Sequence, residues 1–273
     1  MGWAFRSTPT LLLAAALGLS GCAGIIRDRI YQPRTLAESE IAYSGVAPSA
    51  VQVTAADGLT LDGYYWAPVA GNDTLVVYFH GNSGNHLEAA ARAEPLTEGG
   101  HGVLVASYRG YGDNPGSPTE EGLFADADAW MAEARRLAPE SKLFVFGHSL
   151  GGAVALEMAV RHDTAGVTTL GTFSRLSAAA PSYARGILPD RFDNIAAIKR
   201  VSEPILLLHG TEDEVVGFVN GERLAQANPR ATFIVLPGAG HTVDMRLLAG
   251  RLWAAWENPS NGGRQEWLPP TMD

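Results

Sequence analysis

Five short, uninterrupted apolar runs restrict the fold of this sequence more than any other feature. Each is bounded by Gly, Pro or polar residues, and the runs are Leu75–Phe79, Val103–Ala106, Leu143–Phe146, Ile205–Leu208 and Phe233–Leu236. Strands show such runs, rather than alternation, when helices cover both faces of a parallel sheet. Segments with helical spacing separate or follow most of them, namely His86–Glu98, Glu121–Leu137, Ala153–Arg161 and Val243–Trp256. This order predicts an α/β fold with a mostly parallel, doubly wound sheet.

An antiparallel hairpin is predicted ahead of this pattern. Residues Ala50–Thr54 and Leu59–Trp66 alternate well enough for two strands, and Asp57-Gly58 supplies the turn between them. We expect one domain over residues 49–257, because the chain is long enough to bury a single large core. The tail over residues 258–273 is rich in Pro, Gly and Asn, and we expect it to pack loosely.

The charge balance excludes a nucleic-acid partner. The formal net charge is −9, and no Lys/Arg-rich run supplies the positive surplus that binding to phosphates requires. No cluster of His, Cys, Asp or Glu has metal-ligand spacing, and no dinucleotide-binding fingerprint is present in the sequence. We therefore expect neither a metal ion nor another cofactor.

The N-terminus predicts export. Arg6 precedes an apolar stretch, Leu11–Leu19, which has about the length of a signal-peptide core and about half the length that a bilayer span needs. The sequence Leu-Ser-Gly-Cys that ends at Cys22 resembles the lipobox of bacterial lipoproteins, which are cut before a cysteine that then carries the lipid. We predict a signal peptide over residues 1–21. The alternatives are a leader cleaved by the ordinary route and an uncleaved anchor, with the cysteine there by chance.

The same motif predicts a lipid anchor at Cys22. This is the only cysteine of the chain, so the mature protein has no internal disulfide. Several acyl chains on one cysteine would hold the protein on a membrane, with residues 22–48 as lipidated cysteine and tether. The next residue is Ala23, not the Asp associated with inner-membrane retention in Gram-negative lipoproteins. We expect a protein of the bacterial cell envelope, on the outer membrane and facing the periplasm.

The motif that points to chemistry is Gly147–Gly151, which reads Gly-His-Ser-Leu-Gly. It lies between a predicted strand and a predicted helix, which is the setting of a nucleophile elbow. The glycines permit a tight turn that lifts the Ser149 hydroxyl above the sheet, at a helix N-terminus where negative charge is favoured. We predict Ser149 as a nucleophile. The competing interpretation is a Gly-rich turn with a capping serine.

A nucleophilic serine needs a base, and the base needs an orienting acid. Of the seven histidines, His241 follows the last predicted strand and opens the last predicted helix, at the edge of the sheet where the elbow lies. The loop after the preceding strand offers Glu212, Asp213 and Glu214. We predict His241 as the base and Asp213 as the acid, with both glutamates solvated. An acidic surface turn is the alternative.

Acyl transfer also needs an oxyanion hole, because negative charge develops on the carbonyl oxygen. One predicted donor is the backbone N–H of Leu150, directly after the nucleophile. The second is the backbone N–H of Asn82, in the Gly-rich loop His80–Gly84 that follows a predicted strand. A phosphate-binding loop is the competing interpretation, but no Gly-Lys-Ser/Thr sequence accompanies it.

Five colinear segments within residues 51–256 resemble the Bem46-like branch of the α/β-hydrolase superfamily, which includes membrane-associated acyl hydrolases and protein depalmitoylases. They are Tyr78–Asn85, Ser107–Gly112, Gly147–Gly152, Leu208–Asp213 and Gly238–His241. The resemblance implies the α/β-hydrolase fold, with Ser149, Asp213 and His241 as a triad and the amides of Asn82 and Leu150 as the oxyanion hole. One departure is Asn114, where the family usually has a small Ser. The resemblance therefore does not define the shape of that pocket edge.

The expected activity is hydrolysis of carboxylic esters or thioesters with acyl or aryl groups, including lipids, through an acyl-enzyme. The segment from about residue 173 to 203, where lids arise in this superfamily, is short and leaves room for at most a small cap. Within it, Leu176–Leu188 either lines an acyl-binding groove or forms a packed helix. Two alternatives are a peptidase or amidase with the same triad, and a non-catalytic envelope lipoprotein that uses the fold for binding.

Overall fold

The computed structural model describes residues 24, 26–35, 41–179, 185–260 and 262–268. Its strands are β1 (Gln32–Pro33), β2 (Ser49–Thr54), β3 (Thr60–Trp66), β4 (Thr74–Phe79), β5 (Ser83–Gly84), β6 (Gly102–Ala106), β7 (Lys142–His148), β8 (Gly166–Leu170), β9 (Ile205–Gly210), β10 (Thr232–Leu236) and β11 (Arg264–Glu266). Its α-helices are α1 (residues 26–30), α2 (His86–Ala93), α3 (Glu120–Leu137), α4 (Leu150–Arg161), α5 (Leu176–Ala179), α6 (Asn194–Ile198), α7 (Val219–Ala227) and α8 (Ala249–Glu257).

Nine strands form one sheet in the order β11-β10-β9-β8-β7-β4-β6-β3-β2. Neighbouring strands from β11 to β6 are parallel, whereas β3 pairs antiparallel with both β6 and β2. The β2–β3 hairpin turns at Gly58, whose φ of 87° lies in the left-handed region that glycine tolerates. The predicted fold class, a mostly parallel sheet led by an antiparallel hairpin, is confirmed.

Strand β4 shows why the apolar runs are continuous. Leu75, Val77 and Phe79 belong to the core between one face of the sheet and α3, α4 and α6. Val76 and Tyr78 belong to the core on the other face, with α2 and α8. All five side chains are fully buried. A strand covered on both faces has no position left for an exposed polar residue.

Strand β8 was not among the predicted apolar runs. Its sequence contains Thr168 and Thr169, which are buried although they are polar. The Thr168 hydroxyl accepts a hydrogen bond of 2.8 Å from the indole N–H of Trp256 in α8. That bond satisfies a polar group inside the core, so the strand tolerates a residue that interrupts the apolar pattern.

Two predicted helices are shorter in the structure. The segment predicted over His86–Glu98 ends its α-helix at Ala93 and continues as a 3₁₀ segment over Glu94–Gly100, with Pro95 near its start. Proline suits the first turn of a helix but has no N–H for an interior hydrogen bond, so it begins a new segment there. The last helix begins at Ala249, after a separate 3₁₀ turn over Met245–Leu247.

The C-terminal tail contributes a strand where loose packing was expected. β11 pairs in parallel with β10, placing Arg264 opposite Phe233. Gly262 and Gly263 precede it with φ values of 73° and 95°, and these let the chain turn back onto the sheet. The end of the described chain therefore extends the sheet by one strand.

The N-terminal lead-in also packs on the domain. β1 pairs in parallel with β5, and Tyr31 just before it is only 2% exposed. The predicted signal peptide and Cys22 lie outside the described residues. Within the described ranges, none of the helices combines the length and the apolar character that crossing a membrane demands.

Candidate active site

Ser149 sits at a strained turn between β7 and α4. Its φ of 55° and ψ of −115° make it one of two non-glycine residues with positive φ in the described chain, the other being Phe192. Such a conformation costs about 1–3 kcal/mol and persists where the surroundings enforce it. A Cβ on Gly147 would collide with the carbonyl of Gly151, and one on Gly151 with that of Phe79. The predicted need for glycine on both sides of Ser149 therefore has a steric cause.

His241 and Asp213 form a hydrogen-bonded pair. The distance between His241 Nδ1 and Asp213 Oδ2 is 2.8 Å, and the Asp213 side chain is fully buried. The carboxylate also accepts hydrogen bonds from the backbone N–H groups of Val215 and Val216, at 3.0 and 2.7 Å. Because an ionised carboxylate only accepts, Nδ1 carries the proton and Nε2 is left as a base.

The environment keeps Asp213 ionised. Burial alone would raise the pKa of its carboxyl, but hydrogen bonds from His209, His241 and the Val216 N–H outweigh that effect. The pKa of Asp213 is therefore held below its usual range. His209 Nε2 lies 2.7 Å from the Val216 carbonyl and 3.3 Å from Asp213 Oδ2. The His209 ring therefore links the Asp213 carboxylate to the loop that follows β9.

His148 has a role that its place inside the elbow did not suggest. Its Nε2 donates to the backbone carbonyl of His241 over 3.0 Å, across a separation of 93 residues in sequence. Burial lowers the pKa of His148 to about 3, and the neighbouring His241 ring and Arg92 guanidinium act in the same direction. The ring is therefore neutral and fixes the loop that carries the predicted base. A local motif could not reveal a contact over this sequence distance.

The loop after β4 passes directly beside Ser149. A Cβ added to Gly81 would lie 3.5 Å from Cβ of Ser149. Asn82 lines the same cavity as Ser149, and Leu150 begins α4 immediately after it. Both residues predicted for the oxyanion hole thus lie next to Ser149, and their role as donors stays a prediction.

Two tyrosines hold this loop from the side of β6. The hydroxyl of Tyr108 donates to the His80 carbonyl over 3.2 Å, and that of Tyr111 donates to the Asn82 carbonyl over 2.9 Å. Both rings are fully buried. The segment Ser107–Gly112, noted above as part of a family resemblance, therefore positions the loop that carries Asn82, a predicted oxyanion donor.

The lead-in contacts the same loop. The backbone N–H of Gln32 donates to the Asn82 carbonyl over 2.8 Å, and Nδ2 of Asn82 donates to the Ile30 carbonyl over 3.0 Å. Residues predicted only as a tether therefore support a predicted oxyanion donor.

Asn114, the departure from the family pattern, makes hydrogen bonds to two other segments. Its side chain accepts a hydrogen bond from the Asp62 N–H over 2.7 Å and donates to the Tyr108 carbonyl over 3.1 Å. It is buried and is not part of the cavity lining. The longer amide side chain bridges β3 to the loop after β6, a task that a small Ser cannot perform.

A cavity of about 280 Å³ opens beside Ser149. Ser149 and His241 both line it, together with Tyr78, His80 and Arg92. Nδ1 of His80 donates to the Gly81 carbonyl over 2.8 Å, and burial lowers the pKa of His80 to about 4.

Within the described ranges, no group of three or more His, Cys, Asp or Glu side chains is placed to hold a metal ion.

The region of the predicted small cap lies partly outside the described residues. α5 is a short helix at its start, and residues 180–184 are not described. Further on, Asp190 is buried and receives hydrogen bonds from Arg27 and Tyr31 of the lead-in. The groove and helix interpretations of Leu176–Leu188 both stay open.

The sequence is similar to known proteins of one family. The profile of a family described as alpha/beta hydrolase fold matches residues 74–197. An uncharacterized protein of Mycobacterium tuberculosis is 36% identical over 222 residues, covering 77% of this chain and 78% of that protein. Alpha/beta hydrolase domain-containing protein 17C of Mus musculus is 37% identical over 152 residues, covering 54% of this chain and 47% of that protein.

Solved structures share the architecture. An esterase of Pyrococcus furiosus superposes with a TM-score of 0.65 at 18% identity, covering 85% of this chain and 99% of that one. A serine hydrolase without a lid from Xanthomonas campestris gives a TM-score of 0.57 at 18% identity, covering 79% and 94%. Identity at this level establishes a common fold.

Proposed function

This chain belongs to the α/β-hydrolase superfamily, and from that membership we propose that it is a serine hydrolase that cleaves carboxylic esters or thioesters. The observation that carries the proposal is the 2.8 Å hydrogen bond between His241 and Asp213, next to a strained Ser149 that shares a cavity with His241. Along the chain the proposed nucleophile, acid and base follow one another in that order, which is the order found in this fold.

In the proposed reaction, Nε2 of His241 removes the proton of the Ser149 hydroxyl as its oxygen attacks the substrate carbonyl carbon. The backbone N–H groups of Leu150 and Asn82 stabilise the oxyanion. The tetrahedral intermediate then collapses, its C–O or C–S bond breaks, and His241 returns the proton to the leaving alcohol or thiol. Water attacks the acyl-enzyme by the same route, which releases the carboxylic acid and restores Ser149.

Asp213 contributes through its charge and its position. Because hydrogen bonds keep its pKa low, it stays ionised and stabilises the imidazolium that forms on His241. Its bond to Nδ1 also holds the ring in the tautomer that leaves Nε2 free. A neutral side chain at this position would retain neither contribution.

Reaction of the full chain with a fluorophosphonate probe tests the proposal. We expect the wild type to be labelled and Ser149→Ala to remain unlabelled, because only an activated serine attacks the probe. A comparison of kcat/KM for short 4-nitrophenyl esters and for aminoacyl amides then tests the bond cleaved. Absence of labelling in a well-folded wild type would overturn the serine-hydrolase assignment, and a preference for amides would replace esters by peptides or amides as substrates.

We also propose that Cys22 is lipidated and anchors the protein to the outer membrane, facing the periplasm. The supporting observation is the lipobox that ends at Cys22, followed by Ala23. Metabolic labelling with an alkyne-bearing palmitate should mark the wild type and spare Cys22→Ser. Equal labelling of both proteins contradicts the anchor, and recovery of the wild type with inner-membrane vesicles contradicts the location.

A further inference from the structure

The cavity beside Ser149 is too polar to be a good binding site for an unsubstituted, apolar acyl chain. Apart from Gly81 and Ala89, its lining residues carry a polar or charged side chain. Pockets that hold an apolar ligand are lined mainly by hydrophobic and aromatic side chains, with few polar groups. The composition of this cavity therefore indicates a substrate with a polar or charged part.

Tyr78 is among the residues that line this cavity, and its hydroxyl is unpaired. Its side chain is fully buried in the core, and its hydroxyl has no hydrogen-bond partner in the described chain. Burial raises the pKa of Tyr78 to about 12, against the opposing effect of the Arg92 charge, so the hydroxyl stays protonated. Since buried polar groups are nearly always paired, this one is a candidate donor to a ligand.

Arg92 brings a positive charge to the same place. It lies half-buried in the last turn of α2, and its charge lowers the pKa of both Tyr78 and His148. Arg92 lines the same cavity as Tyr78, His148 and Ser149. Arg34, directly after β1, adds a second and more exposed guanidinium. Neither arginine is among those that form ion pairs with described residues.

Two other groups limit what this cavity can bind. Glu88 lines it and opposes the two arginines, but its Oε2 lies against Gly84. Because Nδ1 of His80 donates to a carbonyl, its free Nε2 is a hydrogen-bond acceptor. His80 therefore does not contribute to binding an anion. Two guanidinium groups against one carboxylate leave a positive site in a protein whose net charge is −9.

We propose that Arg92, Tyr78 and Arg34 form a binding site for a carboxylate carried by the ester substrate of Ser149. This inference rests on the proposed function and narrows it from esters in general to anionic esters. Arginine matches a carboxylate with two parallel hydrogen bonds, and a phenol adds a third donor. The anion would be held in the cavity while the ester carbonyl lies at Ser149.

Two pairs of matched substrates test this site on the full chain. The first pair places the charge on the acyl side: the 4-nitrophenyl monoester of adipic acid beside 4-nitrophenyl hexanoate. The second places it on the alcohol side: the acetate ester of 4-hydroxybenzoate beside that of 4-hydroxybenzamide. We expect kcat/KM to be about tenfold higher for the anionic member of one pair, as a charge-assisted bidentate contact provides. The pair that responds identifies the side on which the anion sits.

Variants that remove a positive or a negative charge from the cavity should shift the preference for anionic esters in opposite directions. Arg92→Gln should reduce the anionic-to-neutral ratio of kcat/KM about tenfold, Arg92→Lys should retain part of it, and Glu88→Gln should raise it. Arg136→Gln is the matched control, since Arg136 is exposed on α3 and pairs with Glu133. Circular dichroism verifies that each variant folds.

The outcomes separate the two proposals. Equal or higher rates for the neutral esters in both pairs, or equal ratios in Arg92→Gln and Arg136→Gln, would overturn the carboxylate site while leaving the hydrolase assignment intact. Absence of both probe labelling and ester turnover in folded wild type overturns the hydrolase assignment, and the carboxylate site with it.

Discussion

The two ends of the described chain each add a short strand to a sheet, but only one of them reaches the candidate active site. β1 pairs with β5, in the loop that carries Asn82. β11 pairs with β10 at one edge of the main sheet, and four strands, β10, β9, β8 and β7, separate it from β4. Similar local pairing thus has different consequences, according to where on the sheet it occurs.

The attachments of the two ends differ as well. At the N-terminal end, Tyr31 buries its ring and donates from its hydroxyl to Asp190 over 3.1 Å, while Arg27 contacts the same carboxylate at 3.0 and 3.1 Å. At the C-terminal end, all three residues of β11 are exposed, and Trp267 after it is half-buried. The N-terminal lead-in therefore supports the candidate site, whereas the C-terminal end only adds an edge strand to the sheet.

Tyr31→Ala should give the largest effect. Loss of a buried aromatic ring lowers the free energy of unfolding by about 3–5 kcal/mol. It also frees β1. The Asn82 carbonyl then loses its Gln32 partner, and we expect the loop His80–Gly84 to shift. We expect kcat to fall about a hundredfold if Asn82 is a donor, as for loss of one oxyanion contact. Urea denaturation and ester kinetics measure the two quantities.

Trp267→Ala is the matched control at the other end. Its ring is only half-buried, so it should cost less unfolding free energy than the tyrosine, and kcat should stay within about twofold because the ring lies far from Ser149. Equal losses of kcat in the two variants would contradict the distinction between the ends.

Asp190→Asn should give a smaller effect. The carboxylate accepts hydrogen bonds from Arg27, Tyr31 and the Glu120 N–H, and a neutral amide weakens all of them. We expect a loss of about 1–3 kcal/mol in unfolding free energy, since hydrogen bonds to charged groups have this magnitude. The kcat should fall severalfold with little change in KM, because the substrate does not touch this residue.

Asp73→Asn provides the comparison for a surface ion pair. Asp73 and Lys142 are both 64% exposed in their side chains and lie 3.4 Å apart, so the exchange should change the free energy of unfolding by less than about 0.5 kcal/mol. If Asp190→Asn changes the free energy of unfolding and kcat no more than Asp73→Asn does, the lead-in does not support the candidate site.

The parts of the fold that the sequence predicts are those with a repeated pattern. The five apolar runs became strands because each is long enough to show burial on both faces. β8 was not predicted because Thr168 and Thr169 interrupt its apolar pattern. The buried Thr168 hydroxyl is satisfied by Trp256, which lies 88 residues away in sequence. β1 and β11 contain two and three exposed residues, too few to show any period.

The candidate site divides in the same way. Ser149, Asp213 and His241 were predicted because each follows a strand at the edge of the sheet where the elbow lies, and the structure places His241 against Asp213 at 2.8 Å. The supports of these residues were not predicted. The bond from His148 to the His241 carbonyl and the Tyr111 bond to the Asn82 loop join distant segments, and nothing in a local pattern encodes them.

Truncation after Ser260 should have the smallest effect on activity. It removes β11 and with it hydrogen bonds such as Phe233 N–H to Gly263 and Trp267 N–H to Val235. Each is worth about 0.5–1.5 kcal/mol, so thermal unfolding should shift by several degrees. The kcat should remain within about twofold of the wild type, since β9 and β10 keep their own pairing next to the loops of Asp213 and His241. A large fall in kcat at unchanged folding would mean that the far sheet edge positions the acid and base, and the two ends of the chain would then differ in the half of the site they support.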